Sequence, residues 1–346
     1  MGLMFSIIIP TFNRSAALER TLKSLITVDG QGKNYEILVV NNGSTDGTSA
    51  TIKKFQSTVS KLPYRFLNEP TPGLLSARHR GAIDSSGDIC IFIDDDAHPD
   101  PGWLDAIEEG FQDPATVLVG GPCRPLFEVP PPPWLKAFQS VAPAGTLCVP
   151  LSLFDGGDQV KEIDPTYVFG LNFAIRRETL FAQGGFHPDS FPKPLQRYQG
   201  DGETGLSIKL RQSGLKAVYH PAASVRHEIP ASRLTQAYFA DRGFFQGVCD
   251  SYSEIRSKEE VTSESPVWKR LLNHTKEVIS GWLFSKRSRG TTSMAVEAYR
   301  RGFEFHQSEV REDPSLLNWV LRRDYWDYQL PAGWQEYVSP GNTAGS

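Results

Sequence analysis

From residue 4 to residue 93 the chain alternates between compact apolar blocks and longer stretches in which apolar residues return every three or four positions. The blocks are rich in β-branched residues and too short for helices, so they read as buried strands. The pattern predicts strands at Met4 to Ile9, Tyr35 to Val40, Tyr64 to Leu67 and Ile89 to Ile93, separated by helices at Ser15 to Val28, Gly47 to Ser60 and Gly73 to Ser86. Such alternation implies an α/β fold, with a mostly parallel central sheet and helices on both faces. Asn13 and Ser44 to Asp46 follow strand ends and offer helix caps, which gathers polar side chains and helix N-termini at one edge of the sheet.

Farther on, the pattern predicts a helix at Trp103 to Phe111, with Asp100 as its N-cap and Pro101 at its first position, then a strand at Val117 to Gly121. Residues Pro122 to Asp164 are rich in Pro and Gly, including Pro130 to Pro133, and read as a long irregular region, either a lid or binding loop or a disordered stretch. A strand at Tyr167 to Arg176, a helix at Gly202 to Ser213 and short strands at Ala217 to Tyr219 and Ser224 to His227 complete a first domain, residues 1–231. Long helical patterns at Arg233 to Arg256, Pro266 to Phe284, Thr292 to Glu309 and Leu316 to Tyr328 form a C-terminal helical region, residues 232–330, before a small polar tail, residues 331–346.

Composition narrows the function. With 346 residues, 39% of them hydrophobic, the chain can bury a proper core, and a net charge of −4 argues against a general nucleic-acid binder. The four cysteines lack metal-type spacing and read as reduced, in a cytoplasmic setting. The apolar start lacks a basic leader and is stopped by Pro10, so it reads as a first strand and not as a signal peptide or a membrane span.

The most informative chemistry is Asp94-Asp95-Asp96, three carboxylates at the end of the strand Ile89 to Ile93. Packing gives no reason to crowd like charges there, whereas a divalent cation such as Mg2+ or Mn2+ binds oxygen ligands and neutralises them. In open α/β sheets, ligands bind beyond the carboxyl ends of strands, which is where these residues fall. A second acidic cluster, Gln199-Gly200-Asp201-Gly202-Glu203-Thr204-Gly205-Leu206, opens the late helix.

Four segments stand in a recognisable order: Ser6-Ile7-Ile8-Ile9-Pro10-Thr11-Phe12-Asn13-Arg14, Ile37 to Asp46, Gly73 to Gly81, and Asp94 to Asp96. Over about residues 5 to 230 the chain resembles the family 2 glycosyltransferases with a GT-A fold, which use a DXD-type metal site. The resemblance implies a metal-dependent, inverting transfer of a sugar from a nucleoside-diphosphate donor, a UDP-sugar being favoured, to a hydroxyl of a glycan or lipid-linked glycan. It implies that Pro10, Thr11 and Asn13 border the nucleotide, that Asn42 and Asp46 sit at base and ribose, and that Arg78 approaches the diphosphate. It implies further that Asp94 and Asp95 belong to the donor site, that Asp96 and Asp94 hold the cation, and that His227 completes the metal shell. Glu203 aligns with the family's catalytic base, and Asp201 is the reserve. The segment Phe169 to Arg177 resembles the strand lining the sugar pocket, where Gly170 allows close approach and Asn172 bonds sugar hydroxyls.

Two rivals remain at this level. A nucleotidyltransferase also sets carboxylates and a cation on phosphates, but it would bring a glycine-rich basic loop where Thr11-Phe12-Asn13-Arg14 stands. A non-catalytic sugar-binding or scaffold protein is the other, supported by the glycine inserted between Asp201 and Glu203. Residues 268–289 combine apolar and basic side chains in a pattern compatible with peripheral contact at the inner face of a membrane, or with packing on the catalytic domain.

Overall fold

The computed structural model describes residues 2–27, 32–58, 64–261, 291–330 and 334–337. Its strands are β1 Met4–Thr11, β2 Asn34–Asn41, β3 Tyr64–Asn68, β4 Ile89–Ile93, β5 Ala97–Pro99, β6 Thr116–Gly120, β7 Cys123–Phe127, β8 Ser140–Ala142, β9 Gly145–Cys148, β10 Leu153–Asp155, β11 Lys161–Ile163, β12 Asn172–Arg176, β13 Lys216–Tyr219 and β14 Val225–Ile229. The helices used below are α1 Ser15–Thr27, α2 Thr48–Thr58, α3 Leu74–Asp84, α4 Trp103–Gly110, α5 Arg177–Ala182, α6 Gly202–Gln212 and α7 Gln236–Val261.

The chain divides into two compact units, one formed by residues 1–126, 152–186 and 203–228, the other by residues 127–151, 187–202 and 229–346. In the first unit an eight-stranded sheet runs β11-β13-β6-β12-β4-β1-β2-β3. The pairs β1·β2, β1·β4 and β2·β3 are parallel, as the alternation predicts. One strand departs from it, since β12 lies antiparallel between β4 and β6. A second sheet of this unit runs β5-β14-β7-β10.

The two faces of β1 explain why helices cover both sides. Phe5, Ile7 and Ile9 join Leu18, Leu22 and Leu25 of α1 and Trp103 and Ile107 of α4 in one buried cluster. Ile8 points the other way, toward α3, where a Cβ on Gly81 would come 2.3 Å from its methyl group. Burying each such aliphatic side chain is worth about 1.5–3 kcal/mol, which pins the strand's register.

Several expectations need correction. The stretch Pro122 to Asp164 is not an irregular loop: it holds β7 to β11 and a 3-10 helix, Pro133–Phe138. These strands are three to five residues long, too short to show a period against so many Pro and Gly. The stretch Tyr167 to Arg176 becomes strand only from Asn172, after a 3-10 turn, Pro165–Tyr167, capped by the Asp164 carboxylate. Asp100 does not cap α4; Gly102 in the left-handed region does, and the Asp100 carboxylate instead accepts the Ser224 hydroxyl and pairs with Arg226. The helix expected at Leu316 to Tyr328 is confined to Pro314–Val320.

In the second unit α7 packs along the helix Thr291–Glu312 with backbones nearly touching. A Cβ on Gly247 would lie 2.0 Å from the Tyr299 carbonyl oxygen, and one on Gly302 would lie 2.0 Å from that of Phe244. The side chain of His306 is fully buried on the same helix, with Nδ1 2.8 Å from Ser251 Oγ. Among the described residues no helix is long and apolar enough to cross a membrane. The basic amphipathic stretch 268–289 lies outside the described residues.

Two outcomes follow for the helix pair. Gly302→Val should cost about 2 kcal/mol or more by overpacking, read as a lowered unfolding midpoint in urea. Burial lowers the His306 pKa to about 4, so the unfolded chain binds a proton there before the folded one does. The melting temperature should therefore fall as pH drops from 7 toward 4, with a flatter profile in His306→Gln.

Candidate functional site

The site forms where β1, β2 and β4 end side by side. Strand β4 is buried along its whole length and delivers Asp94, Asp95 and Asp96 directly into a turn, with the Ala97 amide donating 3.1 Å to the Asp94 carbonyl. Three adjacent carboxylates repel one another, and the first unit meets them with three cationic or titratable partners.

Asp95 is the most firmly held. Its Oδ2 accepts the Thr11 hydroxyl at 2.7 Å, its Oδ1 accepts Arg14 Nη1 at 2.8 Å, and its backbone carbonyl accepts the Thr21 hydroxyl at 2.8 Å. Burial raises its pKa to about 7, against the pull of Arg14. Arg14 reaches on with Nη2 to Asp96 Oδ2 at 2.7 Å, while the other Asp96 oxygen lies 3.5 Å from His227 Nε2 on β14. Burial disfavours the Arg14 charge, yet Asp95 and Asp96 outweigh it and hold the guanidinium above its ordinary pKa.

Asp94 faces the opposite side. Its carboxylate is raised by burial, lowered by Arg78 and raised again by Asp96. Arg78, on α3 and only 2% exposed, places Nη2 3.5 Å from Asp94 Oδ1 and Nη1 3.3 Å from Glu203 Oε2. The other Glu203 oxygen accepts the Gly170 amide at 3.0 Å, and the guanidinium lies 5.1 Å from the centroid of Phe186. A side chain at position 170 is incompatible with this arrangement, because its Cβ would sit 2.4 Å from Arg78 Nη2 and 2.8 Å from the Glu203 carboxyl carbon.

The structure thus brings together Thr11, Arg78, Asp94, Asp95, Asp96, Glu203 and His227. Pro10 is buried in β1 beside Val40. Asn13, in the left-handed region at φ 53°, accepts the Thr45 amide at 2.7 Å and the Asp46 amide at 3.3 Å, while its own amide donates to Ser44 Oγ at 2.9 Å. Asp46 accepts from Thr48 and from the Ser15 amide. Together they strap the loop after β1 to the loop after β2. Asn42 holds the next loop, donating to the Glu69 and Thr71 carbonyls and accepting the Gly73 amide.

Two residues differ from their expected places. Asn172 does not face a sugar pocket: it is 2% exposed, accepting Trp103 Nε1 at 3.0 Å and donating to the Ala223 carbonyl at 2.8 Å. A polar side chain in mid-core must satisfy both ends, and here it locks β12 to α4. Asp201 belongs to the second unit, where one oxygen meets His187 Nδ1 and the other the Ser253 hydroxyl, both at 2.7 Å. Burial opposes its charge, but His187 prevails and its pKa is lowered. Arg14 was missed as a site residue, although a cation four residues past Pro10 is the natural counter-charge for a triple aspartate.

Comparison with known proteins places the chain in a family. The family model for glycosyl transferase family 2 matches residues 6–181. Glycosyltransferase AglE of Haloferax volcanii is 32% identical over 116 residues, 34% of this chain and 38% of that protein. Glucosyl-dolichyl phosphate glucuronosyltransferase of the same organism is 26% identical over 183 residues, 52% of this chain and 55% of that protein. The chain therefore matches about half or less of the length of these relatives. Among solved structures, the mannosyltransferase PcManGT from Pyrobaculum calidifontis, in complex with GDP-Man and Mn2+, superposes with a TM-score of 0.56 at 16% identity, covering 95% of this chain and 89% of that one, and so shares its fold. From the match over residues 6–181, which takes in β1, the linked loops and the three aspartates, the chain belongs to glycosyl transferase family 2.

Proposed function

We propose that the protein is an inverting glycosyltransferase that moves a sugar from a nucleoside-diphosphate donor to a hydroxyl of a glycan or lipid-linked glycan with the help of Mg2+ or Mn2+. The observation that carries this reading is the pairing of two functions across one guanidinium: Arg78 joins a donor-side carboxylate, Asp94, to an acceptor-side one, Glu203.

Glu203 is the base. Its side chain is 25% exposed, and the Gly170 amide and Arg78 orient it without enclosing it. It takes the proton from the acceptor hydroxyl as that oxygen attacks the anomeric carbon; the bond from that carbon to the diphosphate oxygen breaks on the opposite face, so the configuration inverts. General base catalysis of this kind contributes about 100 to 10,000-fold. Asp201, with both oxygens engaged, serves to fix the turn before Glu203.

The donor set suits a hard cation. Among the described residues no three His, Cys, Asp or Glu side chains gather into a ready-made cage. Asp96 and His227 would hold the cation with an oxygen and a nitrogen donor, and Asp94, the next-but-one residue to Asp96, would add a further carboxylate. When bound, the ion supplies positive charge to the departing diphosphate. Support for a lipid-linked acceptor comes from the dolichyl phosphate named for one relative. Nucleotide recognition falls to the strapped loops of Thr11, Asn13, Asn42 and Asp46, with a UDP-sugar favoured. Phe12, 53% exposed beside Thr11, is an aromatic side chain that could stack on a base.

Thermal-shift measurements with UDP, GDP, dTDP and CDP, each with Mn2+, Mg2+ or EDTA, should show one nucleotide stabilising the protein only with metal. Asp96→Asn should abolish that shift; an unchanged shift removes Asp96 from the cation site. Glu203→Gln should keep the shift and lose about 100-fold or more in release of the nucleoside diphosphate from its sugar donor. Full turnover in Glu203→Gln would assign the base elsewhere.

A further inference from the structure

The two arginines of the site are built differently. Arg78 is 2% exposed, with its guanidinium 5.1 Å from the centroid of Phe186. Arg14 has a fixed backbone and a freer side chain. Its amide donates to Thr48 Oγ1 at 3.3 Å, its carbonyl accepts the Leu18 amide at 3.0 Å as α1 begins, and the preceding Asn13 is strapped to the loop after β2. The side chain is 34% exposed and lays one nitrogen on each of two neighbouring carboxylates, 2.8 Å from Asp95 and 2.7 Å from Asp96.

The two carboxylates would respond unequally if Arg14 moved away. Asp95 keeps the Thr11 hydroxyl and, through its backbone, Thr21. Asp96, 2% exposed, would lose a full positive charge from Oδ2, while its Oδ1 stays 3.5 Å from His227 Nε2. A divalent cation at Asp96 therefore meets Arg14 as a competitor for the same carboxylate. Guanidinium also pairs bidentately with phosphate oxygens, which gives Arg14 a second, equally suited anionic partner.

We propose that Arg14 is an exchangeable internal cation: it neutralises Asp96 until a nucleoside diphosphate draws it onto phosphate, so that the divalent ion enters together with the nucleotide and not ahead of it. This inference rests on the cation site proposed above, and it makes Arg14 a positioning residue acting through Asp96.

The test is a titration with Mn2+ alone, following free Mn2+ by electron paramagnetic resonance, on the full chain with folding checked by circular dichroism. The wild type should bind weakly, Arg14→Gln about tenfold more tightly or better, and Arg14→Lys in between, because an ammonium offers one point contact in place of a fork. Arg14→Gln combined with Asp96→Asn should lose the gain. Adding the nucleotide found in the thermal-shift panel should tighten Mn2+ binding in the wild type far more than in Arg14→Gln. Equal Mn2+ affinity in wild type and Arg14→Gln, with the nucleotide-dependent site intact, overturns the exchange and leaves the cation site standing. If neither protein takes up Mn2+ with any of the four nucleotides, the cation site itself falls, and this inference with it.

Discussion

Three adjacent carboxylates at the end of a buried strand dominate the design of the first unit. Strand β4 packs on both faces and cannot shift to relieve them, so their mutual repulsion has to be met where they stand. The partners come from three distant parts of the sequence: Arg14 from the loop after β1, Arg78 from α3 and His227 from β14. Each must be carried to the same strand end by its own element. The sheet order, with β1 beside β4 and α3 packed on β1, provides that delivery. The burial of Asp95 and the partial burial of Asp94 keep their charges costly, which is a reason for the site to welcome a further cation.

The same crowding ties Asp94 to Glu203. Arg78 is a single planar group with a carboxylate at each of two nitrogens, so Glu203 and Asp94 are oriented by one rigid object. Gly170 makes this possible by giving up a side chain in the one place where the pair passes closest to the backbone. Precision in this geometry comes from packing, on Phe186 and against Gly170, more than from the ion-pair hydrogen bonds of Arg78, which are long.

Much of the fold was legible because the parallel strands and their helices repeat a strong period. β1 to β4 and α1 to α3 appear within a few residues of their expected limits, and Asp94 to Asp96 stand at the strand end where their charge pattern put them. The antiparallel insertion of β12 between β4 and β6 was not legible, because an apolar run fixes burial and not direction. Nor was the regular structure between Pro122 and Asp164, whose pieces are shorter than the window in which a period can be seen. In the site, residue type located the carboxylates and the histidine but could not separate a side chain that faces a ligand from one that faces the core. Asn172 shows the difference: the same amide that would suit a sugar hydroxyl is used to tie Trp103 to Ala223.

The segment leading into Glu203 is finished late in the life of the chain. Asp201 finds its serine partner 52 residues farther along, and the Tyr198 carbonyl receives the Trp319 indole from 121 residues away. The turn that precedes Glu203 can therefore settle only after residues up to Trp319 have been made. Glu203 thus stands at the end of a segment whose anchors, Ser253 and Trp319, lie far downstream of the strand that carries the three aspartates.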